Sequence, residues 1–153
     1  TQSTPIFISI MKQLMLRIAL LCSLLFAPSL AFAQTGADAI LGTYMTEGGK
    51  SKVVITKQGN TFVGTISWLR KGDILDEKNP DKAEASKKLT GKVILRGLQY
   101  DDKNEYKGGK IYDPESGKTY SCKATAQENG DLRVRGFIGA ALFGRTTTWK
   151  RVK

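Results

Sequence analysis

The last stretch of the chain places chemically useful side chains at every second position: Arg145, Thr147, Trp149 and Arg151. In a β-strand, alternate residues share one face. Arginine pairs with a carboxylate or phosphate through two parallel hydrogen bonds, and tryptophan offers flat apolar area. We therefore predict that this face binds a molecule with an anionic head and an apolar body, and that Trp68 and Tyr112 join the site.

Few residues of the chain are suited to catalysis. The chain has no histidine, the usual general base and the commonest metal ligand. Cys122 could act as a nucleophile, but the alternation places it on a face with Ala124, where a small buried hydrophobe is expected. The remaining acidic candidates lie in predicted turns: Asp73, Asp76, Asp113 and Glu115. We therefore assign no catalytic residue, no metal site and no cofactor.

The N-terminal region has the pattern of a secretory signal peptide. Met11, Lys12 and Arg17 precede nine mostly apolar residues, 18–26, and Ala31-Phe32-Ala33 follows. Nine residues are too few to span a bilayer, which takes roughly 20. We expect Met11 to be the true start, so that residues 1–33 comprise upstream residues and a signal peptide that is cleaved after Ala33, and we expect the protein to be periplasmic or secreted.

The remaining residues, 34–153, are predicted to form a single domain. Of the 24 basic residues in the chain, Lys12 and Arg17 would leave with the signal peptide, so 22 face 14 acidic residues and the net charge is +8. This charge favours an anionic partner, and export makes anionic lipid or lipopolysaccharide a better candidate than nucleic acid. Cys122 is the one cysteine of this domain, so no internal disulfide is possible there.

Apolar and polar residues alternate in eight segments, which predicts eight strands. These segments are 42–44, 50–57, 61–69, 92–100, 105–112, 118–126, 132–137 and 144–152. Within 61–69 the alternation puts Trp68 on the same face as Phe62 and Ile66. A helical turn is expected at 36–41.

One short helix is predicted in the Asn79–Leu89 segment, with Asn79 as its cap and Pro80 at its first position. Strands in sequence with short links favour an all-β, antiparallel, eight-stranded up-and-down barrel. A β-sandwich is the alternative, but it needs longer crossings between sheets than this chain offers.

Four segments carry a family resemblance: GGKIYDP at 108–114, GKTYSC at 117–122, RGFIG at 135–139 and GRTTTW at 144–149. Together they resemble the exported bacterial family catalogued as domain of unknown function 2147. The resemblance covers Leu41 to Arg151. It implies a lipocalin-like barrel and an extracytoplasmic location, but no established reaction.

The chain departs from the family pattern at three places. Gly42-Thr43-Tyr44 stands where such sequences tend to have glycine, any residue and tryptophan, and Tyr106 replaces a frequent tryptophan. Glu84 to Lys88 replaces an arginine-rich stretch. In lipocalin-like barrels a late arginine packs over the early aromatic residue and closes one end, which implies Arg151 over Tyr44. Trp149 would then be ordinary core, and Arg145 is the residue that tests the ligand site.

Three functions follow from the sequence. The first is an exported protein that binds a small amphipathic or anionic molecule in the mouth of the barrel, where an eight-stranded barrel has room for one small ligand. The second is a filled barrel whose basic surface acts on anionic lipid, lipopolysaccharide or a protein partner. The third is an enzyme of unknown reaction. The sequence leaves the oligomeric state open.

Overall fold

The structure, a computed structural model, describes residues 36–140 and 143–152. Residues 1–33, predicted to be upstream residues and a signal peptide, lie outside the described residues. Gln34–Lys153 forms one compact unit.

Eight strands follow one another along the chain. They are β1 (Gly42–Met45), β2 (Ser51–Gln58), β3 (Thr61–Leu69), β4 (Val93–Tyr100), β5 (Glu105–Asp113), β6 (Lys118–Ala126), β7 (Leu132–Phe137) and β8 (Gly144–Arg151). Each pairs antiparallel with its neighbour in sequence, and β1 pairs with β8 through Tyr44–Arg151 and Met45–Lys150. The sheet is therefore a closed barrel, which confirms the predicted fold class.

The short helix predicted within Asn79–Leu89 is confirmed, but its predicted cap, Asn79, is wrong. Helix α1 covers Lys82–Ala85, and Asp81 caps it by accepting a hydrogen bond from the backbone of Ala83. Beyond α1 the chain turns back, because Lys88 pairs with Leu75 in an isolated bridge. These backbone groups bond across the connection, so they cannot continue a helix. Two short 3-10 helices complete the secondary structure, at Gly36–Ile40 and Glu47–Gly49.

Side chains fill the interior of the barrel. The inward positions of the strands supply most of a buried apolar core that includes Val53, Ile55, Phe62, Leu95, Leu98, Tyr106, Cys122, Leu132, Val134 and Trp149. Gly109 shows how tight this packing is. A Cβ atom at that position would lie 2.7 Å from Leu98 Cδ2 and 2.8 Å from Cys122 Sγ. Gly109 therefore fills a place with no room for a side chain.

The connections between strands alternate between the two ends of the barrel. The first 3-10 helix and the connections 59–60, 101–104 and 127–131 lie at one end, called the closed end below. The connections 46–50, 70–92, 114–117 and 138–143 lie at the other end, called the mouth.

Candidate functional site

Arg151 seals the closed end. Its Nε donates to the carbonyl of Gly130 at 2.9 Å and its Nη1 to that of Leu41 at 2.7 Å. Its Nη2 donates to the carbonyl of Ala39 and to the hydroxyl of Tyr44, both at 2.6 Å. The guanidinium also lies 4.9 Å from the centre of the Tyr44 ring. This confirms the implied packing of Arg151 over Tyr44. The guanidinium is therefore held at the closed end and does not reach the mouth.

Two neighbours make this seal possible. Gly42 adopts φ = 144°, and a side chain there would collide with the guanidinium of Arg151. The hydroxyl of Tyr106 accepts a hydrogen bond from the backbone of Ile40 at 3.1 Å and donates one to the carbonyl of Ala37 at 2.9 Å. Tyr106 is fully buried, and burial raises its pKa to about 12. It thus ties the 3-10 helix onto the barrel.

Trp149 belongs to the core. It pairs with Leu132 across β7 and β8, and only 4% of it is exposed. Its indole therefore stabilises the filled half of the barrel, below the mouth.

Arg145 and Thr147 lie nearer the mouth on the same inward face of β8. They pair with Gly136 and Val134 of β7, and Val134 is part of the core. The side chain of Arg145 is 83% exposed, and its Nη2 lies 3.1 Å from Oε2 of Glu47. The structure therefore places one exposed cation at the inner rim of the mouth.

Sequence analysis did not identify Glu47. This residue begins the 3-10 helix of the β1–β2 connection, and besides Arg145 it accepts a hydrogen bond from the backbone of Thr148 at 3.4 Å. β1 ends at Met45, so β8 has no strand partner on this side at Thr148. Glu47 and Arg145 are 98 residues apart, and no local pattern in the sequence announces their pairing.

Five inward residues at this level form what we call the mouth shelf: Ile111, Tyr120, Gly136, Arg145 and Thr147. Ile111 pairs with Tyr120, and Gly136 pairs with Arg145, so the register puts the members of each pair on one face. A Cβ atom at Gly136 would lie 3.5 Å from Ile111 and 3.7 Å from Tyr120, which is ordinary contact distance. The shelf therefore combines an apolar floor with a guanidinium at its edge.

Trp68 does not share the inward face of Phe62 and Ile66, so that expectation is wrong. A bulge in the β2–β3 pairing puts Val53 opposite Ile66 but Lys52 opposite Trp68. The extra residue reverses the alternation. Trp68 is 41% exposed, with the amine of Lys52 5.6 Å from its ring centre. It lies on the outside of the barrel near the mouth.

Tyr112 also faces outward, because the adjacent Ile111 lies inside. Its hydroxyl donates to Oδ1 of Asp76 at 2.6 Å, and Asp76 is 1% exposed. Burial would raise the pKa of Asp76, but hydrogen bonds from Tyr112, Asn79 and Lys92 outweigh it and lower the pKa below its usual value. Burial, followed by the bond to Asp76, raises the pKa of Tyr112. This cluster fastens the β3–β4 connection to the wall of the barrel.

The structure thus brings together two of the six predicted site residues, Arg145 and Thr147. Trp149 lies deeper on their face, Arg151 lies at the closed end, and the other two lie on the outer wall.

The candidates for catalysis are dispersed. Cys122 is a free, buried thiol whose pKa burial raises to about 12. Asp73 pairs with Lys88 at 2.7 Å, whereas Glu115 pairs with Lys50 at 2.6 Å. Within the described residues, no three of the histidine, cysteine and acidic side chains come together as a metal site.

Two open clefts lie outside the barrel. One, of about 620 Å³, borders α1 and the start of β4 and includes Lys87, Lys92 and Arg96. The other, of about 470 Å³, lies at the closed end and is lined by Asn104 and residues 126–129. In the part of the chain that the structure describes, no helix has the length and apolar character to cross a membrane.

Comparison with known proteins agrees with this architecture. The family model described as "Uncharacterized protein conserved in bacteria (DUF2147)" matches residues 42–151. No curated protein matches the chain. Among solved structures, it is similar to HP1028 of Helicobacter pylori, which is described as belonging to the lipocalin family. The two are 30% identical with a TM-score of 0.69, over 74% of this chain and 83% of the other.

A lipocalin-like barrel of eight strands suggests binding of a small molecule. The family model matches residues 42–151, which span all eight strands, and HP1028 is similar over 74% of the chain, so the chain belongs to the DUF2147 family of bacterial proteins and has a lipocalin-like fold.

Proposed function

We propose that this protein binds one small amphipathic molecule at the mouth, with an anionic head on Arg145 and an apolar body on the mouth shelf. The observation that carries the proposal is the exposed guanidinium of Arg145 beside the half-buried side chains of Ile111 and Tyr120. Side chains fill the barrel below this level, so the ligand sits in the mouth and not deep in the barrel.

Glu47 marks the position of the anionic head. Its carboxylate meets Arg145 and the backbone N–H of Thr148, so a ligand carboxylate or phosphate would take its place. The exchange costs little, because exposed ion pairs contribute only about 0–1 kcal/mol. Ligand affinity is therefore set by competition between Glu47 and the incoming anion.

The test uses a dansyl-labelled medium-chain carboxylic acid and the matching alcohol. Wild type should bind the acid more tightly than the alcohol, and Arg145→Ala should weaken acid binding by about two- to fivefold, since an exposed ion pair contributes up to about 1 kcal/mol. Glu47→Gln should strengthen acid binding, because it removes the competing charge. Fluorescence titration measures all of these affinities.

Arg133→Ala is the matched control. Arg133 is an exposed arginine of β7 on the outer face, and its loss should leave binding and thermal stability unchanged. Equal affinity for acid and alcohol, or acid binding that is unchanged in Arg145→Ala, would contradict the assignment of the anionic head to Arg145. Absence of binding to both probes would contradict the mouth site itself.

We also propose that the barrel works after export, in the periplasm or outside the cell. The support is the basic, apolar and Ala-x-Ala pattern of residues 11–33. Mass spectrometry of the exported protein should find Gln34 at the N-terminus, and any other N-terminus would contradict cleavage after Ala33.

A further inference from the structure

Exposed large hydrophobic residues are confined to the mouth. In the described part of the chain there are five: Trp68, Ile74, Leu75, Ile138 and Phe143. Trp68 lies near the end of β3, and the others lie in the β3–β4 and β7–β8 connections. Single exposed hydrophobic residues are common on soluble proteins. Their restriction to one end indicates a surface that meets an apolar partner.

The β7–β8 connection has the strongest apolar character. Ile138 is 69% exposed and Phe143 is 76% exposed, and we call these two side chains the apolar tip. The backbone N–H of Ile138 donates to the carbonyl of Phe143 at 3.2 Å, and that of Phe143 donates to the carbonyl of Ala140 at 3.1 Å. These internal bonds reduce the cost of moving the tip into an apolar environment.

Basic residues flank the apolar tip. The sequence reads Arg135, nine uncharged residues and Arg145, and no acidic residue occurs anywhere from Leu132 to Val152. Arg135 is three residues from Ile138, about 10 Å along an extended strand. An interfacial segment buries its apolar side chains about 5–10 Å into a membrane surface, so the arginines would then meet the headgroups.

The outer wall beside the tip is also basic. Lys123 of β6 lies directly opposite Arg135 of β7. Arg135 Nη1 donates to Thr146 Oγ1 at 2.9 Å. Two opposed cations concentrate positive charge on this part of the wall, which favours an anionic partner. At the closed end, by contrast, the connections 101–104 and 127–131 carry four acidic residues and one lysine. This asymmetry would turn the mouth, and not the closed end, towards an anionic surface.

We propose that the protein docks on an anionic lipid bilayer through the apolar tip, with Arg135 and Arg145 against the lipid phosphates and the mouth facing the membrane. A small amphipathic ligand could then pass between bilayer and mouth shelf without crossing water. The docking surface rests on the tip and its flanking charges, and it stands whether or not the shelf binds a ligand.

The experiment measures co-sedimentation of Gln34–Lys153, the compact unit that holds the entire described barrel, with phospholipid vesicles. Vesicles of phosphatidylcholine with phosphatidylglycerol should bind wild type, and vesicles of phosphatidylcholine alone should bind much less. The double variant Ile138→Ser/Phe143→Ser should lower vesicle affinity by about tenfold or more, because each side chain loses its burial in lipid. Arg135→Gln should lower it a few fold.

Two matched controls distinguish the apolar tip from nonspecific hydrophobic binding and from nonspecific electrostatic binding. Ile74→Ser/Leu75→Ser removes exposed apolar side chains from a different connection at the same end, and Arg133→Gln removes an outer-wall charge nearer the closed end. Ile74→Ser/Leu75→Ser should lower vesicle affinity less than the tip variant does, because Ile74 and Leu75 are less exposed than Ile138 and Phe143. Arg133→Gln should not change vesicle binding by more than about twofold, since surface substitutions away from an interface have small effects. Equal losses in both double variants would overturn the tip assignment.

Competition with a soluble polyanion tests whether charge alone explains the binding to vesicles. If dextran sulfate displaces wild type from vesicles and the tip variant still binds vesicles normally, the surface recognises charge alone and the bilayer proposal is wrong. Failure of wild type to prefer anionic vesicles would also overturn it. The tip variant should keep its affinity for the dansyl acid, so failure of docking and failure of the mouth site are distinguishable.

Discussion

At the closed end, Arg151 makes four hydrogen bonds to protein oxygens and lies over an aromatic ring, whereas at the mouth Arg145 makes one exposed ion pair. Both arginines come from the same face of β8, six residues apart. The difference lies in what surrounds them. The closed end supplies carbonyls from a 3-10 helix and a tight turn, whereas at the mouth Glu47 is the partner of Arg145 among the described residues.

This contrast separates the part of the barrel that holds the fold together from the part that is free to bind. Buried polar groups with complete hydrogen bonding are costly to disturb, because each lost partner leaves an unsatisfied group. Exposed pairs such as Arg145–Glu47 contribute little to stability and can be exchanged for a ligand. Substitutions should therefore affect stability at the closed end and binding at the mouth.

The largest effect is expected for Arg151→Met. The change leaves the carbonyls of Ala39, Leu41 and Gly130 without the hydrogen-bond donors of Arg151. The free energy of unfolding should therefore fall by about 3 kcal/mol or more. Urea denaturation of the two proteins measures the difference. Arg145→Met, on the same strand face, is the control and should stay within about 0.5 kcal/mol of wild type. A loss below 1 kcal/mol for Arg151→Met, where about 3 kcal/mol is expected, would show that the seal is dispensable.

A smaller effect is expected from two glycines in one inward row of the sheet. Gly109, Cys122, Gly136 and Arg145 are successive partners across β5 to β8. Gly109→Ala should destabilise the protein by about 1–3 kcal/mol, because its Cβ overlaps Leu98 and Cys122. Gly136→Ala should be neutral or slightly stabilising, since its Cβ meets only ordinary contacts. Similar losses at both positions would mean that the row is as tightly packed at the mouth as inside.

The smallest effect concerns alkaline pH. Burial raises the pKa of Cys122 to about 12 from an ordinary value of 9.0. The thiol of the unfolded chain ionises at a lower pH than the buried thiol of the folded protein. The stability that the neutral thiol contributes to the fold is therefore complete below pH 9 and is lost as pH rises towards 12. Between pH 8 and pH 9.5 the loss should be roughly 0.8 kcal/mol.

Denaturation at each pH measures this loss. Cys122→Ala should show a shallower decline over the same interval, and an identical decline in the variant would contradict burial of the thiol. Tyr106, whose pKa burial raises to about 12, adds to the decline only above pH 10, its ordinary value. The comparison is therefore restricted to pH 9.5 and below.

Much of the fold could be predicted from the sequence, because strands with short links leave few ways to arrange a sheet. Period-two alternation correctly placed Cys122 in the core and put Arg145, Thr147, Trp149 and Arg151 on one face. It could not predict the bulge that turns Trp68 outward, since one extra residue in the pairing depends on the partner strand. A short helix in Asn79–Leu89 was predicted correctly, but its cap was placed at Asn79, whereas Asp81 caps α1.

The sequence by itself determined the barrel, most of its inward residues and the family to which the chain belongs. It did so because alternation, turn chemistry and motif spacing are local properties. The family resemblance implied the packing of Arg151 over Tyr44, but only the tertiary structure decided which oxygen atoms each arginine of β8 meets. Arg151 finds carbonyls from residues about 110 positions earlier, and Arg145 finds a glutamate 98 positions earlier. Contacts at such separations arise from closure of the barrel, which no local pattern encodes.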